Sequence, residues 1–258
     1  MDTNNEKPDN PATIKKHVLI FPTLSLVVAI IAALVLVAAG LGTRIGLWNF
    51  RTGFTILGYG GYSGVIAVLA SLAGIAASIR KKSFMGGIIA FLALVVGATV
   101  FALPLSWKLS AQRLPRIHDI TTDIANPPGF VAVPPLRKDA PNSAEYGGPE
   151  VAAKQLQAYP DIKTLVLSLP ADQAFALALD TANKMGWTIE ATVPGEGRIE
   201  ATDTTFWFGF KDDIVVRITP AGNRSLVDVR SESRVGISDV GTNARRIRAF
   251  LKRLEGRD

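Results

Sequence analysis

Cysteine is absent, histidine occurs only at His17 and His118, and three long stretches hold no charged residue at all. Without cysteine there is no disulfide, no thiolate nucleophile and no thiolate metal ligand, a composition that suits an oxidising compartment. His118, Asp119 and Asp123 form a metal-like set, but one histidine without cysteine makes a poor zinc site, so neither metal nor cofactor is expected. Ser231 and Ser233 have no second histidine or evident base to activate them, and no catalytic residue is assigned. A hydrolase ranks third among the functional readings below.

The uncharged stretches, 18–41, 54–79 and 84–105, are each long enough to cross roughly 30 Å of hydrocarbon as a helix. They raise the mean hydropathy to +0.26. The first is longer than the apolar run of a secretory signal peptide and reads as a retained anchor. No acidic, basic or histidine side chain lies inside them, so an ion relay has no footing. The spans are rich in glycine, and Gly60 and Gly64, four apart, let backbones approach closely, either within a three-helix bundle or in a homo-oligomer.

The sequence pI near 9.6 invites a nucleic-acid reading, which the regional charge removes. Of 28 Lys+Arg and 22 Asp+Glu, residues 1–105 hold 8 and 3, leaving a nearly neutral 20 and 19 beyond. The excess sits at membrane flanks, where Lys15, Lys16, Arg80, Lys81 and Lys82 mark cytoplasmic ends. The expected location is a bacterial inner (plasma) membrane, with a cytoplasmic N-terminus and a periplasmic C-terminal domain. The chain divides into a disordered cytoplasmic tail at 1–17, a three-helix transmembrane region at 18–107, a Pro-rich extended segment packed on the domain at 108–160, and an extracytoplasmic α+β domain at 161–258.

Within that domain an apolar strand at 164–169 leads to Pro170, which opens a helix ending at Gly186. Strands at 187–193 and 198–205 form one hairpin, and strands at 214–219 and 226–232 another. The last helix carries Val240, Ala244, Ile247, Leu251 and Leu254 at helical spacing. The order is β-α-β-β-β-β-α, an antiparallel sheet with helices on one face. Alternation places Ile199, Ala201, Ile214, Val216, Val227 and Val229 beneath the helices and Arg198, Glu200, Thr202, Arg217, Asp228, Arg230 and Glu232 on the opposite side.

That charged side is the strongest site candidate, because arginines on a rigid sheet grip carboxylate or phosphate in a fixed fork. It reads otherwise as a solvated ladder pairing Arg217 with Asp228 or Glu232, or as a face covered by the Pro-rich stretch. Asp212 and Asp213 read as turn residues rather than a catalytic pair. GISDVGT at 236–242 has a P-loop outline without its lysine, although Ser238 or Asp239 can cap the following helix. The aromatics at 206–210 read as a core plug, or else as a lipid-pocket lining or a bilayer contact. Arg245, Arg246, Arg248, Lys252 and Arg253 give the last helix a cationic solvent face.

The segments PRIHDITTDI at 115–124, GWTI at 186–189, FGFKDDIVVRI at 208–218 and VDVRSESRVGISDVGTNARRIRAFL at 227–251 resemble the DUF1499 family, a domain of unknown function found in bacteria and plastids and often preceded by membrane spans. The resemblance implies an envelope or photosynthetic-membrane setting and no established activity. Its matching residues, with those of the charged side, give the ligand- or partner-binding candidates Arg217, Arg230, Ser231, Arg234, Asp239, Asn243, Arg248, His118 and Asp119. The expected role is binding or assembly at the cell envelope, with the lipid bilayer and an envelope protein as partners. The alternative is a lipid or small-anion binder using a sheet–helix cavity or the Arg230/Arg234 turn.

Overall fold

A computed structural model describes residues 11–256, with side chains from Leu19 onward, and divides into two units, Met1–Lys108 and Leu109–Asp258. Most of the expected polar tail lies outside the described residues, and helix α1 already begins at Pro11.

Unit one consists of α1 (Pro11–Arg44), α2 (Phe50–Arg80) and α3 (Phe84–Arg113), three helices long and apolar enough to span a membrane. The Asn49 side chain starts α2 by accepting the backbone N–H groups of Arg51 and Thr52. Residues at alternating spacings of four and three, all small except Leu57, line the buried seam of α2: Gly53, Leu57, Gly60, Gly64, Ala67, Ser71, Gly74 and Ser78. Gly86, Ala90, Ala93, Gly97 and Val100 repeat the pattern in α3. This is a heptad seam in which small side chains bring the backbones together. A Cβ added at Gly64 would lie 2.8 Å from the Phe101 nitrogen, and one at Gly74 would lie 3.2 Å from both Ala90 Cβ and Ser25 Oγ, where the three helices meet. Large side chains such as Leu34, Ile66, Leu69 and Phe91 point outward instead. The inversion suits hydrocarbon as the surrounding solvent.

Unit two holds an antiparallel six-stranded sheet: β1 (Asp119–Thr121), β2 (Leu165–Leu167), β3 (Thr188–Val193), β4 (Arg198–Thr204), β5 (Lys211–Ala221) and β6 (Arg224–Ser233). The strands run in the order β1-β6-β5-β4-β3, and β2 also pairs with β6. β1 binds β6 at residues 230–232 and β2 binds it at 225–227, so two distant segments share one edge. Helices α5 (Ala171–Lys184) and α6 (Thr242–Leu254) cover one face, and α4 (Gly148–Ala158) precedes β2. The core joins Phe175, Ala178, Ile247 and Phe250 to Ile199, Ile214, Val216, Val227 and Val229, with Trp187 stacked on Phe250 at 5.0 Å. The expected α+β architecture holds, with β1 added. Asp-Ile-Thr is buried throughout and too short to show a period, so only its register with β6 makes it a strand.

Candidate functional site

Opposite α5 and α6, the charged side of the sheet lies beneath the stretch from Thr122 to Tyr146, whose backbone and side chains bond to it directly. Arg230 is central. Its Nε and Nη2 donate to the two Asp119 carboxylate oxygens, each at 2.9 Å, and Nη2 also reaches the Ala144 carbonyl at 3.0 Å. The Phe130 and Tyr146 rings lie 4.9 and 5.5 Å from the guanidinium, a cation–π arrangement in a site shut off from water. Burial, reinforced by the Asp119 charge, pushes the Tyr146 hydroxyl up to about 12.

Arg137 ends a 3-10 turn, Pro134–Arg137, and donates to both Glu232 oxygens at 3.1 Å while standing 3.3 Å from Asp213. Burial and the Asp119 charge push Glu232 up to about 8, against the opposing pull of Arg137 and Arg230. Arg234 forks onto Asp213 at 2.8 and 2.7 Å and donates to the Leu136 carbonyl at 3.1 Å. The Glu200 carboxylate accepts three consecutive backbone N–H groups, from Val131, Ala132 and Val133, and is also paired with Arg198. Consecutive amides turned toward one point make an anion nest, and here the anion is the domain's own glutamate. Arg217, a quarter exposed, holds Asp123 and Asp228, each at 2.9 Å.

A second polar cluster fastens α6 to the sheet. Asp239 accepts the N–H groups of Gly241 and Asn243 at 2.9 and 2.6 Å, satisfying donors that open the helix. Burial raises the pKa of this carboxyl above the usual range, against those two bonds. Asn243 Oδ1 accepts from the Ser231 hydroxyl at 2.7 Å, and its Nδ2 donates to the His118 carbonyl at 2.9 Å and to Ser233 Oγ at 3.0 Å. Arg246 donates to Asp203 at 2.8 Å and Asp212 at 2.6 Å. Before the helix, Val240 at φ +52° and Gly241 at φ +74° are both left-handed; that conformation is costly for the β-branched valine.

The named candidates therefore fall into separate places. Arg230, Asp119 and Arg234 lie in the covered charged side, with Arg217 at its margin. Ser231, Asn243 and Asp239 lie in the α6 cluster, to which His118 contributes its carbonyl. Arg248 stands apart at the surface, paired with Asp161 at 2.5 and 2.7 Å and against the Tyr159 ring at 5.3 Å.

Four residue-level readings change. The charged side is not a solvated ladder, because Glu200, Asp213, Arg230 and Glu232 are essentially fully buried. Asp212 and Asp213 are strand residues of β5 pointing to opposite faces, one to Arg246 and the other to Arg234. Arg246 is buried rather than part of a cationic solvent face. The aromatic run splits, with Phe208 buried and stacked on Phe210 at 5.3 Å while Phe206 is 87% exposed. Sequence reasoning missed Arg137 and the nest at 131–133. An arginine directly after Pro134-Pro135-Leu136 was the only local signal. Among the described residues no group of three acidic or histidine side chains is placed to hold a metal, and the imagined metal-like set is dispersed, Asp119 to Arg230 and Asp123 to Arg217.

Compared with known proteins, residues 119–254 match the model of a family described as "Protein of unknown function (DUF1499)". No curated protein matches the chain.

Proposed function

The chain belongs to the DUF1499 family, and from that premise we propose that it is an integral protein of a bacterial inner membrane whose α+β domain stands on the periplasmic side and serves in binding or assembly at the cell envelope. One observation carries the reading. Arg230 and Arg234, the forks best suited to a free carboxylate or phosphate, already hold Asp119 and Asp213 of the same domain. The family-matched arginines thus act as internal fasteners of the sheet, and recognition falls to the outer surface of a rigid head. A free anion would have to displace a buried carboxylate to use them.

Two measurements test this on the full chain. A reporter fused after Asp258 that is active only when exported should be active, and activity of a cytosol-only reporter instead would reverse the compartment. Photo-crosslinkers at exposed domain positions such as Leu156 and Val166 should yield discrete protein adducts in intact cells. Recovery of lipid adducts alone would favour the lipid-binding alternative and refute the assembly role.

A further inference from the structure

We infer that one end of the sheet, bearing Phe206, Ile237 and Leu136, is a bilayer-contacting surface that inserts apolar side chains among lipid headgroups and upper acyl chains. The register fixes which loops share that end. Thr204 pairs with Lys211, Asp212 with Ser233, and Asp119 with Glu232. The β4–β5 connection at 205–210, the β6–α6 connection at 234–241 and the start of β1 therefore lie together. The 3-10 turn joins them through the bond from Arg234 to the Leu136 carbonyl.

These loops present large apolar side chains outward: Phe206 is 87% exposed, Ile237 65% and Leu136 51%. The two hairpin turns at the opposite end, 194–197 and 221–224, are Pro-Gly-Glu-Gly and Ala-Gly-Asn-Arg, with no large apolar side chain. The asymmetry is directional. Exposed apolar tips beside cationic side chains are how peripheral surfaces enter an anionic interface. Arg116, Lys138 and Lys211 are exposed on these same segments, against Asp139 as the exposed acid next to Lys138.

Chain connectivity selects lipid as the occupant. The membrane-length helix α3 ends at Arg113, and β1 begins at Asp119. The five residues between them, fully extended, span no more than about 18 Å. That short tether is itself stitched to the apolar loop: Ser238 Oγ donates to the Pro115 carbonyl at 3.2 Å, Asp239 N–H to the Ile117 carbonyl at 3.2 Å, and Ser233 N–H to the His118 carbonyl at 2.9 Å. Ile237 thus belongs to a loop bonded to the very residues that leave the span. The inference holds on either side of the membrane and does not depend on the proposed compartment.

The absence of native cysteine makes the test free of background. Phe206→Cys, Ile237→Cys and, as a control at the far end, Asn223→Cys are each labelled with an environment-sensitive fluorophore in the full chain. The chain is reconstituted into phosphatidylcholine–phosphatidylglycerol vesicles carrying nitroxide on the acyl chains. Labels at 206 and 237 should be quenched at least about twofold more than the label at 223. Equal quenching at all three positions overturns the inference. So does a label at 206 shielded from aqueous iodide yet untouched by acyl nitroxide, which would mean a protein occupant. A label at Leu136→Cys should also lose its quenching in the Phe206→Ser, Ile237→Ser double variant, and retention there overturns the inference as well.

Discussion

Replacing Arg230 with methionine separates a structural arginine from a ligand-gripping one. Its side chain is 3% exposed and bonded to both oxygens of Asp119, itself 4% exposed. Methionine keeps much of the volume but strands Asp119 as a buried charge, together with the Ala144 carbonyl that Arg230 also serves. Removing one partner of a buried ion pair costs about 3–5 kcal/mol. For a unit of this size each kcal/mol moves the midpoint by about 2–4 °C, so thermal unfolding should fall by about 6–20 °C. Adding Asp119→Asn to Arg230→Met removes the stranded charge and should recover about half the loss. Arg248→Met is the contrast. Its partner Asp161 is 56% exposed, and the change should cost less than about 1 kcal/mol. Near-ultraviolet circular dichroism of the full chain in detergent follows the transitions. A folded Arg230→Met variant melting within about 2 °C of the parent would refute the claim that Arg230 is an internal fastener of the sheet.

Glu232 titrates near 8 in the native state instead of the ordinary 4.5, so between those values the folded chain keeps a proton that the unfolded chain releases. Its contribution is complete below about pH 4.5 and lost as pH rises through 8; stability should drop by on the order of a few kcal/mol across that window. Glu232→Gln should flatten the profile, and a parent whose midpoint climbs from pH 5 to 8 would contradict the assignment. Val240→Gly should raise stability by about 1 kcal/mol by releasing the left-handed valine, and a lowered midpoint would show that Val240 packing outweighs its backbone cost. Gly64→Val should loosen the α2–α3 seam, where even a Cβ lies 2.8 Å from the Phe101 nitrogen, whereas Gly58→Ala, with nothing within 4 Å, should leave detergent resistance unchanged. Equal resistance of the two variants would refute the seam.

What the sequence disclosed follows the range of each interaction. The spans were visible because hydrocarbon forbids charge over a whole run, and the faces of β4, β5 and β6 because antiparallel strands alternate with period two. The partners of the charged side were not visible. Arg137 meets Glu232 across 95 residues, and Arg230 meets Asp119 across 111, separations at which composition carries no register. Asp212 and Asp213 looked like a turn because β5 begins before its apolar run does, in the middle of a buried charge network. Arg246 was misplaced by residue type, since it lies three residues after buried Asn243 and four before buried Phe250, on the face that meets the sheet.

β1 and β2 both hold to one edge of β6. Residues on either side of 122–164 are both laced to the same strand, so a protease that nicked this stretch would release nothing. The two fragments would stay joined through the β1–β6 ladder and the buried Asp119–Arg230 pair, migrating apart only after denaturation, and the membrane anchor would remain attached to the rest of the domain without a covalent link.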